Sequence, residues 1–215
     1  MSARPDHRLF AAVYDPVLRV FGRRWLDPHR TYLADCEGRV LDLGCGTGGL
    51  FPVFADAIEA GDVELHAVEP DPHMRKRAEK RARKLDLDVR ILPDAAEDLS
   101  VGDGRFDAVC SSLVFCTVAD PVAAREEVHR VLRRGGEFRF FEHVHGEGAY
   151  SLGQRAVAPL WERVAGGCQL CRRTVGTLLA EPEFTPVDLE WLDAGYPPAT
   201  PMVRGTLRRV DTPVW

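Results

Sequence analysis

The chain has 215 residues, 45% of them apolar, with 28 Lys+Arg against 33 Asp+Glu and a formal net charge of −5. This is one ordinary domain with apolar material for a real core, so disorder and fibrous structure are excluded. The acidic total argues against a dedicated nucleic-acid binder. The longest nearly apolar run, residues 108–119, is shorter than the ~20 residues that span a bilayer.

Residues 1–8 are polar, with no apolar secretory region behind them. The six cysteines (36, 45, 110, 116, 168 and 171) therefore read as free thiols in a reducing cytoplasm. Residues 9–25 have amphipathic helical spacing, with Phe10, Val13, Tyr14, Val17, Leu18 and Phe21 on the apolar face. Arg19, Arg23 and Arg24 leave peripheral membrane contact open. Val40-Leu41-Asp42-Leu43 is a buried-strand run that ends in glycines, and residues 64–68 form a second strand. Asp71-Pro72 is a cap followed by Pro at the first helical position, predicting a helix to Lys84. Its seven Lys/Arg read as a solvated face rather than an RNA contact. Residues 89–92 and 106–110 are the third and fourth strands. Asp120-Pro121 repeats the cap signal for a helix to Arg134, stopped by Gly135-Gly136. Residues 138–143 make the fifth strand. Residues 151–180 read as largely helical with a break at Gly166-Gly167. A closing strand pair, 184–192 and 202–210, flanks Gly195-Tyr196-Pro197-Pro198. Such alternation implies parallel βαβ units and a doubly wound α/β sheet.

The glycine loop is the sharpest local feature. Residues 44–49, Gly-Cys-Gly-Thr-Gly-Gly, fit G-x-G-x-x-G. That pattern alone admits a dinucleotide site. Glu69, at the end of the second strand, has the position and acceptor capacity to take both hydroxyls of a ribose; its bland reading is an exposed strand-end acid. Asp42 separates the two nucleotide readings. A carboxylate two residues before the first glycine repels a pyrophosphate and attracts an ammonium group. Asp94, just past the third strand, can accept from an adenine amine, or simply cap a turn.

Together these residues resemble a class I S-adenosylmethionine-dependent methyltransferase of the type 11 group. The matching stretches are Leu41-Asp42-Leu43-Gly44-Cys45-Gly46-Thr47-Gly48, Glu69, Asp94-Ala95, Phe106-Asp107-Ala108-Val109 and Val131-Leu132-Arg133-Arg134-Gly135-Gly136. The resemblance implies a seven-stranded Rossmann-like sheet, mostly parallel with an antiparallel last strand, and S-adenosylmethionine as cofactor. It implies cofactor contacts at Tyr14, Asp42, Gly44, Cys45, Gly46, Gly48, Glu69, Pro70, Asp94, Ala95, Ser111 and Leu113. The whole chain, 1–215, is then one domain, with residues 1–35 as a helical cover and 145–182 as a helical insertion on the substrate side. The chain has no Asn, so it lacks the Asn-Pro-Pro-aromatic motif of amine-methylating relatives.

Phe140-Phe141-Glu142-His143-Val144 and Gly167-Cys168-Gln169-Leu170-Cys171-Arg172 are similar to the methyltransferase-like thiol S-methyltransferases and their microbial relatives. Cys171 departs from that pattern, and so does the absence of the N-terminal membrane anchor of the microsomal members. The resemblance implies a small-molecule acceptor, with a thiol favoured and a phospholipid headgroup or quinone precursor as the alternative. Phe115, Trp161, Cys168 and Arg172 are candidate substrate contacts. His143 is a candidate proton acceptor that Glu142 would orient; the bland reading is a structural histidine. Cys168-x-x-Cys171 with His143-x-His145 is half a zinc motif, and no metal is expected. The other function classes are a nicotinamide-dependent reductase and a non-catalytic cofactor-binding protein.

Overall fold

A computed structural model describes residues 8–21, 23–180, 182–192, 198 and 200–210; for 9, 13, 17–21 and 23–25 it describes the backbone alone. The side chains of Arg19, Arg23 and Arg24, and most of the 195–198 turn, lie outside the described residues.

Seven strands form one sheet in the order β3-β2-β1-β4-β5-β7-β6. They are β1 (Gly38–Leu43), β2 (Val63–Val68), β3 (Arg90–Leu92), β4 (Phe106–Ser112), β5 (Leu132–His143), β6 (Phe184–Leu192) and β7 (Met202–Arg209). β1 through β5 pair in parallel, and β7 runs antiparallel to both β5 and β6. The expected mostly parallel sheet with an antiparallel last strand is therefore present. The helices are α1 (Arg8–Phe21), α2 (Arg23–Ala34), α3 (Phe51–Ala60), α4 (Pro72–Lys84), α5 (Pro121–Val131), α6 (Gly148–Val164) and α7 (Thr174–Leu178). None of the described helices is long and apolar enough to cross a membrane.

Strand alternation sorts the core into two layers, because neighbouring residues of a strand face opposite sides of the sheet. Leu41, Leu43, Val109, Phe138 and Phe140 pack on one face. Val40, Ala108, Cys110 and Phe141 pack on the other. Two caps fall where the Asp-Pro pairs place them. Asp71 accepts from the His73 and Met74 amides at the start of α4, and Asp120 from Val122 and Ala123 at the start of α5.

Two boundaries differ from the sequence expectation. The helix expected to reach Arg134 stops at Val131, and β5 begins at once with Leu132. Gly135-Gly136 is not a helix stop but part of a bulge in β5: Phe106 pairs with Leu132 while Ala108 pairs with Glu137. A side chain at Gly136 would sit 2.9 Å from the Arg133 carbonyl oxygen, so the bulge needs glycine there. The N-terminal helix expected over 9–25 is two helices, α1 and α2.

The strand order reverses between β1 and β4. In an open α/β sheet, that is where loops part and ligands enter beyond the carboxyl ends of the strands. The glycine loop leaves β1 at this point. The 113–116 loop leaves β4 beside it, since Leu43 and Ser111 are register partners.

Candidate active site

The loop after β1 is shaped by backbone geometry. Gly44 has φ +64°, and a Cβ there would lie 2.7 Å from a Val114 methyl, so only glycine lets the two loops touch. Gly46 also has positive φ, +58°, but faces more open space; the nearest atom to an added Cβ is Met74 Cε at 3.6 Å. Glu69 ties the loop down from β2. It accepts from the Gly46 amide and the Asp71 amide, each at 2.9 Å. An ionised carboxylate offers about four acceptor sites, so two remain. Burial pushes Glu69 up to about 7, against the two amide hydrogen bonds that lower it. Pro70, next in sequence, presents its carbonyl to Arg75, which also holds the Glu69 carbonyl at 2.8 Å.

Asp42 lies behind the loop, 2% exposed, and its Oδ2 has no hydrogen-bond partner. Burial first, then the Glu69 charge, raises its pKa well above the carboxylate range, against Arg30. Two buried acids bracket the loop. A cationic group would favour the ionised Asp42 and satisfy its Oδ2, whereas a phosphate would only push both acids further toward their neutral forms.

A latch joins α1 to this loop. Asp15 accepts from Thr47 Oγ1 at 2.7 Å and from Arg81 at 3.1 Å. The far side of α1 meets the turn after α6, where a Cβ on Gly166 would lie 2.8 Å from the Phe10 ring. Tyr14 sits between, and burial pushes its phenol up to about 12 while the charges of Arg30, Asp15, Cys116 and Glu69 act on it. Sequence reasoning missed Asp15, Thr47 and Arg81 because the latch joins residues 66 positions apart. Replacing Asp15 by alanine is expected to weaken cofactor binding about tenfold. Its hydrogen bonds to Thr47 and a charged Arg81 are worth roughly 1–2 kcal/mol together when partly exposed. Isothermal titration of Asp15→Ala checks this; unchanged affinity would show that α1 is not held as a cover.

The other predicted residues divide. Cys45 turns its side chain into the core, gives its amide to the Val68 carbonyl and accepts from the Gly48 amide at its own carbonyl. Asp94 uses Oδ2 to accept from the amide and hydroxyl of Ser100, bracing the loop that carries Ala95 rather than capping a helix. Ser111 is fully buried and donates to Glu142, so its hydroxyl faces the interior instead of a cleft. Phe115, expected to touch substrate, is fully buried against Phe138. Among the described residues Arg172 has no acid partner. It donates to the Phe115 carbonyl and to Gln169, fastening the β4 loop to the segment after α6.

Glu142 does not orient His143. The two are adjacent on β5, so their side chains leave opposite faces. Glu142 instead collects Ser111 Oγ and the amides of Val114, Phe115 and Cys116 at 2.8–3.3 Å, holding the whole β4 loop. That loop includes Leu113 with φ +61°, rare for a branched residue and held by its amide bond to Phe141. His143 Nε2 lies 2.6 Å from Cys168 Sγ, and Trp161 Nε1 donates to the same sulfur at 3.1 Å. The Cys168 thiol is drawn down by Cys116, His143 and Trp161 against its burial. Cys171, the other half of the expected Cys-x-x-Cys pair, is exposed and separate. Cys116 takes its place: Cys116, His143 and Cys168 offer ligand atoms within 4.8 Å of one another.

With this geometry in view, the comparisons are specific. Residues 41–140 match the model of a family described as a methyltransferase domain. The human thiol S-methyltransferase TMT1B is 32% identical over 177 residues, covering 76% of this chain and 70% of that protein. The rat TMT1B is 32% identical over 160 residues, covering 72% and 63% respectively. The demethylmenaquinone methyltransferase of Thermus thermophilus is 36% identical over 104 residues, covering 48% of this chain and 46% of that one. Among solved structures, the [4+2]-cyclase SpnF superposes with a TM-score of 0.75 at 16% identity, covering 98% of both chains. The geranyl diphosphate C-methyltransferase of Streptomyces coelicolor superposes at 0.70 with 17% identity, covering 92% of this chain and 86% of that one. A cyclase and a C-methyltransferase on one scaffold show that the fold alone does not name the reaction.

Proposed function

The chain belongs to the methyltransferase domain family, and we propose that it transfers the methyl group of S-adenosylmethionine to a small thiol. The observation that carries the cofactor assignment is the unpartnered Oδ2 of Asp42, buried behind a glycine loop that Glu69 anchors. The residues present fit that group. Asp42 answers a cationic amino-acid end, the remaining acceptor sites of Glu69 suit ribose hydroxyls, and Asp94-Ala95 lies where adenine is read. Gly44, Gly46 and Gly48 let backbone approach the ligand closely. Pro70 and Leu113 border the same end of the sheet.

S-adenosylmethionine supplies, when bound, a methyl group already activated on a sulfonium. What the chain contributes is orientation and exclusion of water. The α1 latch covers the glycine loop, and Tyr14 on the same helix is near enough to Glu69 and Cys116 for their charges to act on it. His143, Cys168 and Trp161 form the polar group at that end, where the acceptor arrives. The thiol reading rests on the thiol S-methyltransferase relatives, of which the chain covers 62–70%. The test is a screen with methyl-labelled S-adenosylmethionine against small thiols, phenols and amines. Label is expected in thioethers. Label only in phenols or amines, or nowhere, would overturn the acceptor. In a thermal-shift assay S-adenosylhomocysteine should protect the chain and NADPH should not.

A further inference from the structure

We propose that Cys116, His143 and Cys168 bind one soft divalent metal ion of the zinc class, with the fourth coordination position left for the acceptor sulfur. This rests on the thiol reading above and names what ionises the thiol.

The donor set comes first. Two sulfurs and an imidazole nitrogen, all buried, lie within 4.8 Å of one another. A tetrahedral zinc site with Zn–S of about 2.3 Å and Zn–N of about 2.0–2.1 Å has ligand–ligand edges of roughly 3.5–3.8 Å, so the 2.6 Å His143–Cys168 hydrogen bond opens by about 1 Å when the ion enters. Sulfur with imidazole selects zinc-like ions over hard ones. Three protein ligands with one open position is the arrangement of catalytic rather than structural zinc.

The ligands are also held independently. Cys116 is placed by the Glu142 carboxylate, which takes its amide at 3.3 Å. His143 is the last residue of β5. Cys168 follows the turn at Gly166 and Gly167, and Gln169 bonds the Cys116 carbonyl at 2.8 Å, locking the two cysteine segments together. Three chain segments thus converge on one point. The Trp161 N–H on the Cys168 sulfur is an outer partner of the kind that orients a thiolate ligand. Leu113, Trp161 and Ala165, all partly buried, pack around the two cysteines. The site is close to the glycine loop: Val114, in the same loop as Cys116, packs against Gly44.

The chemistry balances. The acceptor thiol releases its proton to water as its sulfur joins the metal. The sulfur then forms a bond to the methyl carbon. The carbon–sulfonium bond breaks with its electron pair remaining on the donor sulfur, giving a thioether and S-adenosylhomocysteine.

The test uses the full chain, freed of metal under a phosphine reductant. It should take up one equivalent of Zn2+ by elemental analysis. With Co2+ it should show a thiolate-to-cobalt charge-transfer band in the near ultraviolet. Cys116→Ser and Cys168→Ser should each weaken zinc affinity by more than the ~10–100-fold that outer partners command, while Cys171→Ser should leave it unchanged. Adding 2-mercaptoethanol without methyl donor should strengthen the cobalt band. No metal uptake by the folded wild-type chain overturns the proposal, as does uptake indifferent to both serine variants. Metal binding with no response to 2-mercaptoethanol overturns the acceptor position. Full-rate thiol methylation by metal-free chain refutes this site and leaves the thiol reading standing; a cobalt response with no methylation of any thiol does the reverse.

Discussion

Glu142→Ala is expected to lower the folding free energy by about 3–5 kcal/mol, measured as a shift in urea midpoint at unchanged slope. Glu142 is fully buried and accepts from three consecutive backbone amides and one hydroxyl. Alanine leaves four buried donors without a partner, each costing about 1–3 kcal/mol before the loop relaxes. The other ties on the β4 loop are single hydrogen bonds: Leu113 N–H to the Phe141 carbonyl, Arg172 to the Phe115 carbonyl and Gln169 N–H to the Cys116 carbonyl. Glu142→Gln keeps the shape and one acceptor oxygen, so its loss should be about half as large. The same loop carries Cys116, so methyl transfer should fall in both variants even at temperatures where they stay folded. A loss below about 1 kcal/mol in Glu142→Ala would show that the loop is held by its packing instead.

The role of Glu142 also marks what the sequence could and could not convey. Its partnership with His143 was excluded by strand alternation alone, since neighbours on a strand face opposite sides. The glycine loop, the two Asp-Pro caps and the succession of strands along the chain are legible because each is a local signal with a backbone cause. The Gly135-Gly136 bulge was misread because glycines that stop a helix and glycines that permit a bulge look alike until the partner strand is known. The Cys116–His143–Cys168 group was illegible for a different reason. Its members lie 25 and 27 residues apart, and the conspicuous Cys-x-x-Cys spacing drew attention to Cys171, which points outward. Long-range convergence of this kind depends on loop packing, and Glu142 and Arg172 supply that packing through backbone contacts that no motif encodes.

Cofactor affinity is expected to rise with pH through about 7, and Glu69 is the cause. Its ordinary value is 4.5, and burial raises it to about 7 in the folded chain. The folded state therefore holds the proton more tightly than the unfolded chain does. The stability this contributes is full below about 4.5 and is lost as pH rises through about 7, a change of about 3 kcal/mol at 1.36 kcal/mol per unit. Ribose hydroxyls donate, so the bound state favours the ionised carboxylate and lowers its pKa. Binding below pH 7 must then expel the proton. Titration calorimetry at about pH 6, in buffers of differing ionisation enthalpy, should show release approaching one proton per ligand, falling toward none above about pH 8. Glu69→Gln should abolish that release. Glu69→Ala should weaken binding at about pH 8 by roughly 1.5–3 kcal/mol, the worth of hydrogen bonds to a charged group. Proton release that survives Glu69→Gln would move the titration to Asp42, which is also buried and raised. Unchanged affinity in Glu69→Ala would sink the ribose assignment, leaving Glu69 its hold on the Gly46 and Asp71 amides.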